Sequence, residues 1–144
     1  MTAVRTLPAR FEDVEALEDF MTAPSQALID DLAALDGDLI VLGVGGKMGP
    51  TLARMAKRAA PGKRVVGVAR FSDARSRAML EAHGVECIAC DLTDREALAK
   101  LPNVADGVRH CVYMAGHKFG ASDNPSLTWM MNVAVPGMVA EAFR

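Results

Sequence analysis

The chain has 144 residues, 51% hydrophobic and 24% charged, which is about one domain's worth of sequence and too apolar for a disordered one. Sixteen basic against eighteen acidic side chains leave a net charge of −2, and aromatics stand at 5%, which argues against a nucleic-acid partner. No run of about 18 apolar residues occurs and Met1–Arg10 holds no apolar signal segment, so the expectation is a cytoplasmic protein without a membrane partner.

Nine acids precede Leu39 (Glu12, Asp13, Glu15, Glu18, Asp19, Asp30, Asp31, Asp36, Asp38), whereas Arg54, Lys57, Arg58, Lys63, Arg64, Arg70, Arg75 and Arg77 follow with Asp73 alone between them. The acidic leader predicts one or two helices: Leu28, Leu32 and Leu35 fall at helical spacing, Ser25 suits an N-cap, and Gly37 ends the segment. The pattern then alternates. Leu39–Leu42 is an apolar run suited to a strand buried on both faces. Met48, Leu52, Met55, Ala56 and Ala59 fall on one helical face, closed by Pro61-Gly62. Val65–Val68 predicts a second strand, Asp73–His83 a second helix with Gly84 after its end, and Val85–Ala89 a third strand. Thr93-Asp94-Arg95-Glu96 reads as a capping box opening a third helix, Val108–Met114 as a fourth strand, and Ser126 onward as a last, Met-rich helix. Strands separated by helices predict an α/β protein with a parallel sheet and right-handed crossovers.

The first strand runs into Gly43-Val44-Gly45-Gly46-Lys47-Met48-Gly49, and a helix begins at once. Glycine is needed here for three separate reasons: Gly43 for a sharp turn, Gly46 for close approach of a diphosphate, and Gly49 for tight helix-on-strand packing. The helix N-terminus adds unpaired N–H groups and about half a positive charge. Pro50 costs little, because first-turn N–H groups have no partner within the helix. No Gly-Lys-Ser/Thr follows, which argues against a nucleoside-triphosphate loop.

From Leu39 to about Phe143, with the glycine spacing 43-46-49, the chain resembles the N-terminal part of an extended or atypical short-chain dehydrogenase/reductase of the NAD-dependent epimerase/dehydratase group. The resemblance implies a Rossmann-like doubly wound sheet in the order 3-2-1-4 over residues 38–144, preceded by a helical extension over residues 1–37. It also implies that Asp91-Leu92 flanks the adenine, that Ala115-Gly116 passes the ribose and phosphates, and that Asn132 matches an asparagine of the following helix. The coenzyme set is then Gly43, Gly45, Gly46, Lys47, Met48, Gly49, Arg70, Ser72, Asp91, Leu92, Ala115 and Gly116.

A fingerprint selective for NAD places an acid at the end of the second strand, about 20 residues past the glycines, for the ribose 2′-OH. Here Arg70 stands twenty-one positions after Gly49, with Ser72 and Arg75 nearby as donors, so the reading leans to NADP over NAD. The alternative is a solvated Arg70 with Asp73 meeting the ribose.

Family chemistry uses a Tyr-x-x-x-Lys pair on a helix beyond the fourth strand, the lysine lowering the tyrosine pKa. The lone tyrosine, Tyr113, lies in the predicted fourth strand and is followed four residues on by His117. The chain therefore reads as the coenzyme-binding part of a longer enzyme for a small polar, sugar-like substrate, with no catalytic residue of its own and a homodimer left open. A competing reading is a non-catalytic NADP-sensing or protein-binding module. His117 and Lys118, in the loop after the fourth strand, are candidates for contact with nicotinamide or substrate, set against a solvated loop pair.

Cys87-Ile88-Ala89-Cys90 invites a redox or zinc reading, but residues three apart on a strand face opposite ways and no second pair completes a site. No metal site is expected, and Cys87, Cys90 and Cys111 read as buried structural thiols of a reducing compartment. Met130, Met131 and Met138 read as core or subunit packing.

Overall fold

The computed structural model describes residues 7–118 and 122–144; the first six residues of the acidic leader lie outside them. Two leader helices open the fold. Helix α1 spans Val14–Thr22 behind the N-cap Asp13, and α2 spans Gln26–Ala34, with Ser25 Oγ accepting from the Leu28 amide at 3.2 Å. The alternating part follows as β1 (Asp38–Leu42), α3 (Gly49–Ala59), β2 (Val65–Ala69), α4 (Ala74–Ala82), β3 (Glu86–Ala89), α5 (Arg95–Val104) and β4 (Val108–Tyr113). Beyond β4 come α6 (Pro125–Trp129), a π-helical turn (Met130–Ala134) and α7 (Val135–Ala142).

The four strands are parallel and ordered β3-β2-β1-β4, as the resemblance implies. Alternate residues of β1 enter two different cores, which is why the whole run is apolar. Leu39 and Val41 pack with Val65, Ala53, Ala56 and Leu80 under α3 and α4, whereas Ile40 and Leu42 pack with Val66, Val68, Leu98 and Val135 under α5 and α7. The chain winds outward from β1 to β3 and then crosses to β4 on the other flank of β1. The connections that leave the carboxyl ends of β1 and β4 therefore turn to opposite faces of the sheet, opening the crevice where open α/β sheets bind ligands.

The leader packs on the outer face of α3, and the opposite charges noted in the sequence do meet. Asp19 takes an ion pair from Arg54 and lies 3.6 Å from Arg58, whose Nη1 also donates to the fully buried Thr22 Oγ1 at 2.6 Å. Lys63 Nζ donates to the Leu35 and Gly37 carbonyls at 2.7 and 3.1 Å. Among the described residues, no helix is long and apolar enough to cross a membrane.

Two local expectations are corrected. The capping box at Thr93 does not form: Asp94 caps α5, its carboxylate accepting from the Glu96 and Ala97 amides at 2.9 and 3.1 Å. A charged acceptor serving two amides displaces the neutral hydroxyl, and Thr93 turns back to Asp91 instead. The last helix runs unbroken from Pro125 to Ala142 but is not α-helical throughout, and Pro136 accounts for that. The Val135 amide donates to the Met130 carbonyl, a π-type bond, which leaves the Met131 carbonyl to the next residue, Pro136, where there is no N–H.

Candidate functional site

The crevice is a cleft of about 470 Å3 at the carboxyl ends of the strands. Its floor is the glycine turn. Gly43 adopts φ +90°, and a Cβ there would lie 2.5 Å from the Ala115 amide nitrogen, so β1 and the loop after β4 can close on each other only through glycine. The turn is tied down from β2: the Gly43 and Val44 amides both donate to the Val68 carbonyl, at 2.8 and 3.0 Å, and Gly46 N–H donates to Gly43 O at 3.1 Å. Among the described residues, no acceptor of the chain is paired with the amides of Gly45, Lys47, Met48 or Gly49. These N–H groups, at the start of an eleven-residue helix, are what an anion requires.

Of the twelve residues expected to bind coenzyme, nine line this one cleft: Gly43, Gly45, Gly46, Arg70, Ser72, Asp91, Leu92, Ala115 and Gly116. Three do not. Gly49 is buried as the first residue of α3, Met48 is exposed beside it, and Lys47 lines a separate groove against α1.

The rim beside β2 has a feature the sequence does not announce. Phe71 takes φ +49°, a left-handed conformation costing a non-glycine residue about 1–2 kcal/mol. The bend sits between Arg70 and Ser72, and the Arg77 guanidinium lies 6.0 Å from the Phe71 ring centroid. Asp73 also lines the cleft, with its Oδ1 capping α4 through the Arg75 amide at 3.0 Å.

On the next strand end, Asp91 Oδ1 accepts from both the amide and the hydroxyl of Thr93, at 2.9 and 2.8 Å. These bonds, with the Arg70 charge adding to them, hold its carboxyl below the usual aspartate range. The sign follows from linkage. A carboxyl depressed in the folded state adds stability in full above its unfolded pKa of about 3.9, and loses it as pH falls through the folded value. Acid unfolding of Asp91→Asn is expected to show a shallower loss of stability below about pH 5 than the parent chain, read from urea midpoints between pH 2 and 6.

The far wall is built from α6 and the π-helical turn. Tyr113 donates its hydroxyl to the Met131 carbonyl at 2.9 Å, the acceptor that Pro136 leaves without a helical donor. The lone tyrosine thus has a structural task, and burial pushes its pKa up, the opposite of what proton transfer needs. Tyr113→Phe is expected to destabilise the chain by about 1–2 kcal/mol, because the carbonyl loses its partner, as a urea unfolding midpoint would report. Asn132, on the same turn, grips the main chain of His117 from both sides: Oδ1 accepts from the His117 amide at 2.8 Å and Nδ2 donates to its carbonyl at 2.9 Å. His117 lines the cleft, and Lys118 follows it, exposed. Leu127 and Met131, which the sequence offered only as helix and core residues, complete the wall.

Of the three thiols, Cys90 lines the cleft beside Asp91, whereas Cys87 and Cys111 are not among its lining residues. Cys90 is buried, Cys87 half-buried and Cys111 exposed, so the expectation of three buried thiols holds for Cys90 alone. Burial pushes Cys87 up to about 11 and raises Cys90 and Cys111 as well, which keeps all three as thiols near neutrality. Among the described residues, no three His, Cys, Asp or Glu side chains gather as a metal would require.

A parallel sheet whose strand order reverses at β1, with a glycine turn feeding a helix at that point, defines a Rossmann-type dinucleotide-binding fold. The chain belongs to the NAD dependent epimerase/dehydratase family, whose sequence profile matches residues 39–144. No curated protein matches it significantly. Among solved structures, an epimerase from Methanothermobacter thermautotrophicus is similar with a TM-score of 0.66 at 22% identity, over 81% of this chain and 34% of that one. The L-threonine dehydrogenase of Clostridium difficile gives 0.63 at 16%, over 74% and 33%. A UDP-glucose-4-epimerase of Stenotrophomonas maltophila, solved with bound NAD, gives 0.61 at 18%, over 74% and 33%. The chain spans about a third of the length of these structures, and at such identities the likeness is one of fold.

Proposed function

We propose that residues 38–144 are the coenzyme-binding portion of an NAD(P)-dependent oxidoreductase, epimerase or dehydratase, carrying residues 1–37 as an N-terminal extension whose helices α1 and α2 brace on α3. The observation that carries this reading is the glycine turn on the cleft floor running into the start of α3, where the amides of Gly45, Lys47, Met48 and Gly49 meet no acceptor among the described residues. A Cβ at Gly46 would approach Gly43 O at 3.3 Å and otherwise meet nothing, so the turn is open to a ligand rather than filled by the chain. These amides would grip the pyrophosphate, Ala115 and Gly116 would let the ribose pass close to the backbone, and Asp91-Leu92 would border the adenine. Bound there, the coenzyme supplies hydride transfer, while the chain positions and shields it. The substrate class we propose is a small polar, sugar-like molecule. The Stenotrophomonas relative, solved with formylated UDP-arabinopyranose, supports it by analogy of fold.

NADP is the preferred coenzyme in this reading. Arg70 is exposed at the cleft rim, beside Ser72 and the bend at Phe71, and its fork suits a 2′-phosphate. Asp73, the acid at this rim, is engaged in capping α4. Arg70→Ala is expected to weaken NADPH about tenfold or more and leave NADH within about twofold, since a charge-assisted bond contributes about 1.5–3 kcal/mol. Calorimetry of the chain and this variant with both coenzymes tests the reading. Binding of neither by the folded chain overturns the coenzyme role, and equal losses in the variant overturn the phosphate role.

A further inference from the structure

His117 is held by three contacts from one helical wall. Asn132 fixes its amide and carbonyl, and Thr128 Oγ1 lies 2.9 Å from its ring Nδ1. Thr128 and Asn132 are four residues apart, so both reach the same loop residue from one side of the helix. The bond that Thr128 makes elsewhere bears on the direction of the ring contact. Its hydroxyl donates its single hydrogen to the Asn124 carbonyl at 3.0 Å. A hydroxyl whose proton is so placed offers His117 a lone pair, which points to the hydrogen on Nδ1. The neutral ring then has its single acceptor lone pair on Nε2, which meets no partner among the described residues, on a residue that lines the cleft beside Gly116.

We propose that His117 is a ligand-contacting base of the cleft, held by Thr128 as the Nδ1–H tautomer so that Nε2 accepts a hydrogen bond from a sugar hydroxyl of the bound ligand. The partner must be a donor. A phosphate offers only acceptors to a neutral ring, whereas a ribose or hexose hydroxyl offers the O–H that Nε2 requires. The hydroxyl can come from the ribose of the coenzyme or from a sugar substrate. The ligand half of this inference rests on the coenzyme reading above; the tautomer half does not.

The test is a long-range proton–nitrogen correlation spectrum of the imidazoles in the full 15N-labelled chain, at a pH where they are neutral, with His117 assigned by His117→Gln. The expected result is a protonated, pyrrole-type Nδ1 and an unprotonated, pyridine-type Nε2; the reverse pattern overturns the proposal. Thr128→Val is expected to release the ring toward Nε2–H, and an unchanged tautomer would show that Thr128 does not set it, overturning that role. NADP+ and UDP-glucose are then added separately and together. An Nε2 shift with NADP+ alone assigns the hydroxyl to the coenzyme, and one needing UDP-glucose assigns it to a sugar substrate. No shift in any mixture, with coenzyme binding seen by calorimetry, overturns the ligand role. Absence of coenzyme binding with the Nδ1–H tautomer intact sinks the coenzyme reading instead.

Discussion

Gly46→Leu is expected to weaken NADPH binding by more than about 100-fold while leaving the fold nearly untouched. Gly46 lies at the cleft floor with φ outside the left-handed region, and a Cβ there meets only the Gly43 carbonyl, at 3.3 Å. The backbone can therefore accept a side chain after a shift of a few tenths of an ångström. Losing a glycine also narrows the unfolded ensemble, so stability should change by less than about 1 kcal/mol. The ligand fares differently. A leucine would occupy the space through which, in the proposed function, a pyrophosphate reaches the amides of the turn, and excluding two charge-assisted bonds would remove about 3 kcal/mol or more. Calorimetry and thermal unfolding on one sample separate the two effects. A folded Gly46→Leu chain that binds NADPH with parent affinity would remove the pyrophosphate grip from the proposal.

How far the sequence reaches can be judged on particular residues. The strands of the sheet and the glycine turn are legible because burial on two faces demands an unbroken apolar run at Leu39–Leu42, and because at Gly43 and Gly49 a Cβ would meet backbone. Phe71 is not legible: a left-handed residue is readable when it is glycine or asparagine, and nothing in the side chain of phenylalanine marks it. The wall beyond β4 escapes for a different reason. Pro136 is visible, yet its consequence depends on which carbonyl loses a donor and on Tyr113 lying within reach of that carbonyl from another strand. Helical periodicity carries information along one element, whereas this π-helical turn is decided between two. The clasp of Asn132 on His117 is of the same kind, joining residues fifteen apart across a loop. Asp94 in place of Thr93 as the cap of α5 is the smallest such case, a competition between neighbours that pattern matching scores alike.

Gly49→Ala tests the other half of the glycine turn, and two principles give it opposite signs. Helix propensity alone favours alanine over glycine by about 1 kcal/mol at an interior position and by less in the first turn. Packing opposes it. A Cβ at Gly49 would run into the Val44 carbonyl oxygen and lie 2.6 Å from the carbonyl carbon and Cα of the same residue, all of them backbone. Val44 has no room to retreat. It is fully buried, its amide is held by Val68 O at 3.0 Å, and its side chain fills the space that a Cβ on Gly67 of β2 would need, 2.9 Å from Cγ1. Helix α3 must then lift from β1, and overpacking of this kind costs about 1–3 kcal/mol. The net expectation is a loss of about 2 kcal/mol, a fall in Tm of roughly 4–8 °C for a chain of this size. A rise in Tm would mean that α3 slides freely over β1, and the close contact between helix and strand would not be what fixes the amides at the cleft floor. With Gly46→Leu, the pair divides the turn: one glycine leaves open the cleft floor where the proposed function places the pyrophosphate, the other keeps helix and strand in contact.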